Sequence, residues 1–246
     1  MWKKLFFLGL VTVVLFTACG QKTDTIKTDN KQEIEEEQKQ EDGKNSDAGA
    51  MEIPEVSQAK TPGQDMSSEF KKGTVSENGW ESQWLGMRFT APEGTRMASE
   101  ETLDELMGIS EELLAEDLSD TQIKYAELTS VREMMCYDES TKTNVIVSVD
   151  RMPLEMSEEV YAQQLALSLS SVSVMKYERA GEDEQTEIAG ISYLKSGYRV
   201  ETAGQSLHTD YYIRMIDDRV VSVVVTYGEG GEEMALALMN GFETCF

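Results

Sequence analysis

The chain has 246 residues and carries 46 acidic against 22 basic side chains, a net charge of −24. That balance argues against nucleic acid, where a basic footprint supplies most of the affinity, and against charge-driven docking on anionic lipid headgroups. One histidine and three cysteines leave little for histidine-based acid–base or metal chemistry, so no cofactor and no metal centre are expected.

The N-terminus reads as an address. Lys3 and Lys4 precede Leu5–Phe16, a stretch that is apolar apart from Gly9 and Thr12. It is too short to span a bilayer and suits the core of a signal peptide. It ends in Leu15-Phe16-Thr17-Ala18-Cys19-Gly20, which resembles the bacterial lipoprotein box, with Phe16 where leucine is usual. The resemblance implies that residues 1–18 are a signal peptide and that Cys19 is lipidated after cleavage. Two or three acyl chains would then hold the protein on the extracytoplasmic face of the cell membrane, since a single chain gives only marginal attachment. An ordinary secretory peptide with an incidental cysteine is the competing reading.

Residues 19–79 are polar. Gln32–Glu41 holds one aliphatic residue, Ile34, and Pro54 and Pro62 sit among serine, glutamine, glycine and lysine. Such a segment buries too little apolar area to offset chain entropy. It is expected to be a disordered acidic tether, with recruitment of a partner by its acidic run as the alternative.

A folded domain is expected over 80–246, long enough for one hydrophobic core. Trp80–Leu85 and Met87–Thr90 alternate around Gly86 as a strand pair, and Pro92-Glu93-Gly94 is a turn. Ser99 is placed to cap a helix with Glu100 and Glu101 in its first turn and Leu103, Leu106 and Met107 on its apolar face. Gly108 interrupts that helix, Ser110–Leu114 restarts it, and 121–128 are ambiguous with a slight helical preference. Strands follow at Val131–Tyr137 and Val145–Val149. A second helix from Ser157 aligns Tyr161, Leu165, Leu169 and Val172 on one stripe. Two short strands, Val174–Tyr177 and Glu184–Ile188, lead into three long ones. Those are Ile191–Glu201, Ser206–Ile216 and Arg219–Tyr227, joined by Ala203-Gly204 and Asp217-Asp218. A last helix aligns Ala235, Leu238, Met239 and Phe242. Hairpins dominate the connections, so the class is α+β, a largely antiparallel sheet with helices packed on its faces.

This order resembles the PsbP-like α/β/α sandwich. The family shows a Gly-x-x-Phe-x-x-Pro-x-Gly segment after an opening hairpin, as Gly86–Gly94 does here. Ile188–Tyr193 resembles the strand opening its meander, and Tyr211–Arg214 its second long strand. The resemblance implies a mostly non-catalytic role. It transfers no binding residue.

Several constellations bear on chemistry. Ser206, His208 and Asp210 share a strand face, but successive same-face residues lie nearly 7 Å apart, too far for a hydrogen-bonded relay. Gly228–Gly231 before a helix lacks a following Gly-Lys-Ser/Thr, and Glu232 and Glu233 would repel an anion. Glu182-Asp183-Glu184 and Asp217-Asp218 lack the ligand spacing of a calcium loop. Cys136 and Cys245 would form a disulfide if the last helix packs over the strand bearing Cys136; two free thiols are the alternative. Methionines such as Met134, Met175 and Met215 fall on apolar positions and read as core filling, with a plastic binding groove as the alternative. Tyrosines concentrate in the meander, and Tyr198, Tyr211 and Tyr212 are the candidates for binding a partner. The function expected is non-catalytic binding of a protein, peptide or glycan, cationic by charge complementarity. A carboxylate-based hydrolase of an envelope polymer or a divalent-ion-binding protein is the alternative.

Overall fold

Short hairpins build the large sheet. The computed structural model describes residues 69–105, 129–173, 175–202 and 204–245. The expectations for the signal peptide, Cys19, most of the tether and 106–128 lie outside them. β9 (Ile191–Thr202), β10 (Gln205–Ile216) and β11 (Arg219–Gly228) form a meander. Its two-residue turns place Thr202 opposite Gln205 and Ile216 opposite Arg219, and turns that short leave the register no freedom. β8 (Glu184–Ile188) enters β9 through Ala189 and Gly190, both at positive φ, 52° and 74°. This is the backbone that two-residue hairpin turns favour, and glycine adopts it without steric cost.

β5 (Ser130–Asp138) and β6 (Thr143–Arg151) form the next hairpin. Asp138 closes it by accepting from the backbone nitrogens and hydroxyls of Ser140 and Thr141. The full order is β4-β5-β6-β11-β10-β9-β7, with β8 also on β9, and all pairings are antiparallel. β4 (Arg96–Met97) and β7 (Lys176–Arg179) stand at the two edges. This is the α+β class that the sequence implies.

One face of this sheet is covered by α1 (Glu158–Ser170). Ser157 caps it by accepting from the Val160 nitrogen, and Glu158 and Glu159 lie in its first turn, as the positive helix end favours. Its stripe of Tyr161, Ala162, Leu165 and Leu169 packs on Tyr198, Val200, Leu207, Tyr211, Ile213, Val220 and Val224. Each large side chain so buried contributes roughly 1.5–3 kcal/mol. Ser99 also caps as expected, accepting from the Thr102 nitrogen at 3.1 Å, and the chain is helical over 100–105.

The opposite face holds two things. α2 (Glu232–Asn240) packs on β6 and β11. Beside it lies a second sheet of β1 (Thr74–Ser76), β2 (Gly79–Ser82), β3 (Met87–Thr90) and β12 (Phe242–Thr244), in that order. Its Trp80, Met87, Phe89 and Phe242 are buried, and the Tyr193 hydroxyl of β9 reaches the Met87 sulfur at 3.2 Å.

Two expectations change. Phe242 is not on the last helix: the helix ends at Gly241, and Phe242 pairs with Phe89 in β12, their rings 4.8 Å apart. The described fold also includes residues ahead of 80. β1 pairs with β2, Phe70 meets Trp84 edge-on at 5.0 Å, and Gly73 donates its backbone N–H to Glu133 at 2.6 Å. The bulge between Arg132 and Met134 leaves Glu133 fully buried. There it also accepts from Trp80 Nε1 at 3.1 Å. Burial raises its carboxyl above the usual range, opposed by those two bonds and by Lys72.

Candidate functional site

Strand alternation sends one set of meander side chains under α1 and the other to the opposite face. Register then assembles that second set. Lys195 stands between Glu184 and Tyr212, Gly197 faces Asp210, and His208 stands between Arg199 and Tyr227. α2 packs on β6 and β11, and Lys195, Gly197, His208, Asp210, Tyr212 and Tyr227 are only half-buried. They outline a shallow dish on the sheet.

Its floor is Gly197. A Cβ there would lie 3.0 Å from Asp210 Oδ1 and 3.7 Å from the Ala180 Cβ, so the missing side chain lets the Asp210 carboxylate lean over the strand. The other oxygen lies 3.5 Å from Lys195 Nζ, which is also 3.4 Å from Glu184 Oε1. The same ammonium stands 5.9 Å from the centre of the Tyr212 ring, within cation–π range. On the far side, His208 and Tyr227 stack with centroids 5.4 Å apart and planes 14° from parallel.

Electrostatics tie the dish together. Burial would lower Lys195, but Asp210, then Tyr212 and Glu184, outweigh it and hold the ammonium above its ordinary value. Tyr212 and Tyr227 are both raised, by burial first and then by Asp210. All three stay protonated near neutrality, so the dish offers two phenols, one carboxylate and one loosely paired ammonium. That set can hold a ligand by stacking and charge.

Of the tyrosines singled out for binding, only Tyr212 stands here. Tyr198 and Tyr211 are corrected to core residues: α1 covers them, they are 2% and 1% exposed, and their rings meet edge-on at 5.6 Å. Ser206, His208 and Asp210 follow one another along β10, and the histidine ring stacks on Tyr227 rather than joining a relay. The acidic clusters are engaged locally, Asp183 with Arg179, Glu184 with Lys195 and Asp218 with Arg151. Among the described residues no group of three or more histidine, cysteine, aspartate and glutamate side chains is arranged to hold a metal.

The disulfide expectation is also corrected: both thiols are free. The chain after α2 turns into β12 beside β3 and does not run over β5. Cys136 is therefore buried against Thr95 at 3.2 Å, and Cys245 points at the Ser82 carbonyl at 3.8 Å. A separate cavity of about 1030 Å³ borders β1–β3. Of the charges that border it, Arg88 binds Glu243 at 2.6 and 3.0 Å and Lys72 binds Glu100 at 3.0 Å.

Lys195 and Gly197 are the members of the dish that the sequence does not single out; Tyr227 belongs to the tyrosine-rich meander but is not among the binding candidates. Their signal is the register itself, because the turns at 203–204 and 217–218 fix every cross-strand neighbour.

No protein-family model and no curated protein matches the sequence. Solved structures similar in outline include the cyanobacterial PsbP protein CyanoP from Synechocystis sp. PCC 6803. It has a TM-score of 0.43 and 11% identity over 72% of this chain and 97% of that one. LpqN of Mycobacterium tuberculosis, described as involved in cell envelope biogenesis, has a TM-score of 0.38 and 9% identity over 64% of this chain and 82% of its own. The Saccharomyces cerevisiae Ran-binding protein Mog1p has a TM-score of 0.37 and 10% identity over 70% and 97%. Likeness this remote assigns the chain no family and no role.

Proposed function

We propose that this protein is a non-catalytic binding module, displayed outside the cell on a membrane through acyl chains on Cys19, and that its partner sits on the dish of β9 and β10. The observation that carries the binding part is the half-buried set of Lys195, Asp210, Tyr212 and Tyr227 on the sheet face opposite α1. Aromatic rings with polar tips beside a pocket of charge are the groups that interfaces favour. The display part is supported by the basic start, the apolar Leu5–Phe16 and the Leu15–Cys19 box.

Two experiments test this. Cys19→Ala should abolish metabolic labelling by a fatty acid and release the protein from the membrane fraction; retention in that fraction defeats the anchor. A photo-crosslinking amino acid at position 212 should yield a discrete adduct in intact envelopes. The same group at the exposed Leu154 should not. Equal yields from the two positions, or none from 212, defeat the binding surface.

A further inference from the structure

The dish already contains a cation, the protein's own. Lys195 Nζ lies between Glu184 on β8 and Asp210 on β10, over the Tyr212 ring. Its distances of 3.4 and 3.5 Å exceed the 2.7–2.9 Å of a close charge-assisted hydrogen bond. Glu184 is mostly exposed, and Lys195 retains 28% of its side-chain surface. A lysine on a flexible four-carbon stem, loosely paired at a surface, is easily displaced into water. Asp210 is the better-sheltered partner at 19% exposure, and its second oxygen lies over Gly197, which Ala180 flanks.

The surroundings carry both signs: on this face Glu178, Glu184, Glu201 and Asp210 stand with Lys176, Lys195, Arg199 and Arg214. Glu232 adds its field at Tyr227. The whole chain stands at −24, so its field draws cations in from a distance. The faces of Tyr212 and Tyr227 are regions of negative potential, which attract an ammonium or guanidinium.

Resting on the binding reading above, we propose that the dish takes a lysine or arginine side chain of a partner polypeptide. The incoming cation lies over Gly197 against Asp210 and Tyr212, and Lys195 is the built-in competitor it displaces. Lys195 thus sets the affinity: it keeps the seat filled in the free protein and yields only to a partner that adds contacts of its own.

The test uses the full-length protein in detergent, with amide resonances as the readout. The probes are a fluorescent peptide of alternating lysine and glycine and its counterpart with glutamine for lysine. The lysine peptide should bind, weaken with salt, and shift the resonances of Gly197 and Tyr212. Asp210→Asn and Tyr212→Ala should each weaken it about five-fold, and Lys195→Gln should strengthen it by about as much. A gain of affinity cannot come from misfolding. Arg96→Gln removes the same charge at the opposite edge of the sheet and should change the affinity much less. If Lys195→Gln and Arg96→Gln act alike, or Asp210→Asn binds undiminished, the cation is held by the general acidic surface and the proposal fails. If the glutamine peptide shifts the same resonances equally, the binding surface stands and the cation seat fails. If neither peptide shifts them, the cation seat fails, and the cross-link from position 212 decides the surface separately.

Discussion

Asp150→Asn probes the polar interior of the large sheet. Asp150 lies on β6 between Ser130 of β5 and Val220 of β11, and is 6% exposed. Burial pushes its carboxyl up to about 6 from 3.8, with Arg132 and the hydroxyls of Ser130 and Ser148 pulling the other way. At roughly 1.4 kcal/mol for each tenfold change in proton affinity, that rise amounts to about 3 kcal/mol. Because the folded value stands above the unfolded one, this stabilising contribution is complete below about pH 4 and is lost as pH rises through about 6. Asparagine mimics the protonated acid and removes the loss. At pH 7.5 the variant should therefore unfold at higher denaturant, by about 3 kcal/mol, or melt roughly 6–12 °C higher, while near pH 4 the two proteins should coincide. Urea titrations at a series of pH values read this directly. Other carboxylates change stability with pH in both proteins alike, so the difference between the two curves isolates this residue. A variant less stable than the parent at pH 7.5, or a difference that does not vary with pH, would show that Asp150 is ionised and matched by Arg132, and the reasoning would fall.

Other substitutions separate core from surface. Gly73→Ala places a Cβ 2.4 Å from Trp80 Nε1 and 2.7 Å from Glu133 Oε2; it should cost about 1–3 kcal/mol and alter tryptophan fluorescence, and unchanged spectra with unchanged stability would exclude the close approach. Tyr198→Ala should cost about 3–5 kcal/mol by chemical denaturation. Tyr212→Ala should cost well under about 1 kcal/mol, and similar losses would contradict their assignment to opposite faces. Adding a reductant should leave the melting temperature where it is, whereas a bridge between Cys136 and Cys245 would forfeit about 4 kcal/mol and melt visibly earlier.

The meander was legible because its signals are local. Alternation over ten or more residues, bounded by Ala203-Gly204 and Asp217-Asp218, leaves few alternatives to three antiparallel strands. The helix from Ser157 was equally plain, since cap, acidic first turn and apolar stripe agree. β1, β4 and β12 were not legible: each is two or three residues long and is defined by a distant partner rather than by any pattern of its own. Phe242 shows the same limit, because its spacing continues the helical stripe while the pairing with Phe89 comes from far along the chain. At the dish, composition pointed to the tyrosines but not to which face α1 would cover. That choice separates Tyr211 from Tyr212, and it follows from packing rather than from residue type.

The way the chain enters the fold has a mechanical consequence. Any pull on the residues ahead of Glu69 reaches the domain through β1, a three-residue strand at the edge of the small sheet. Phe70 against Trp84 and Arg219, the Lys72–Glu100 pair and the Gly73–Glu133 bond are then the fastenings that feel the load. Edge pairs this short open at far lower force than the interior of the large sheet, whose strands each have neighbours on both sides. Opening β1 would release about eight residues, extending the chain by roughly 25 Å while α1 and the meander stay intact. On the anchoring proposed above, β1 would yield under tension before the surface bearing Asp210 and Tyr212 is disturbed.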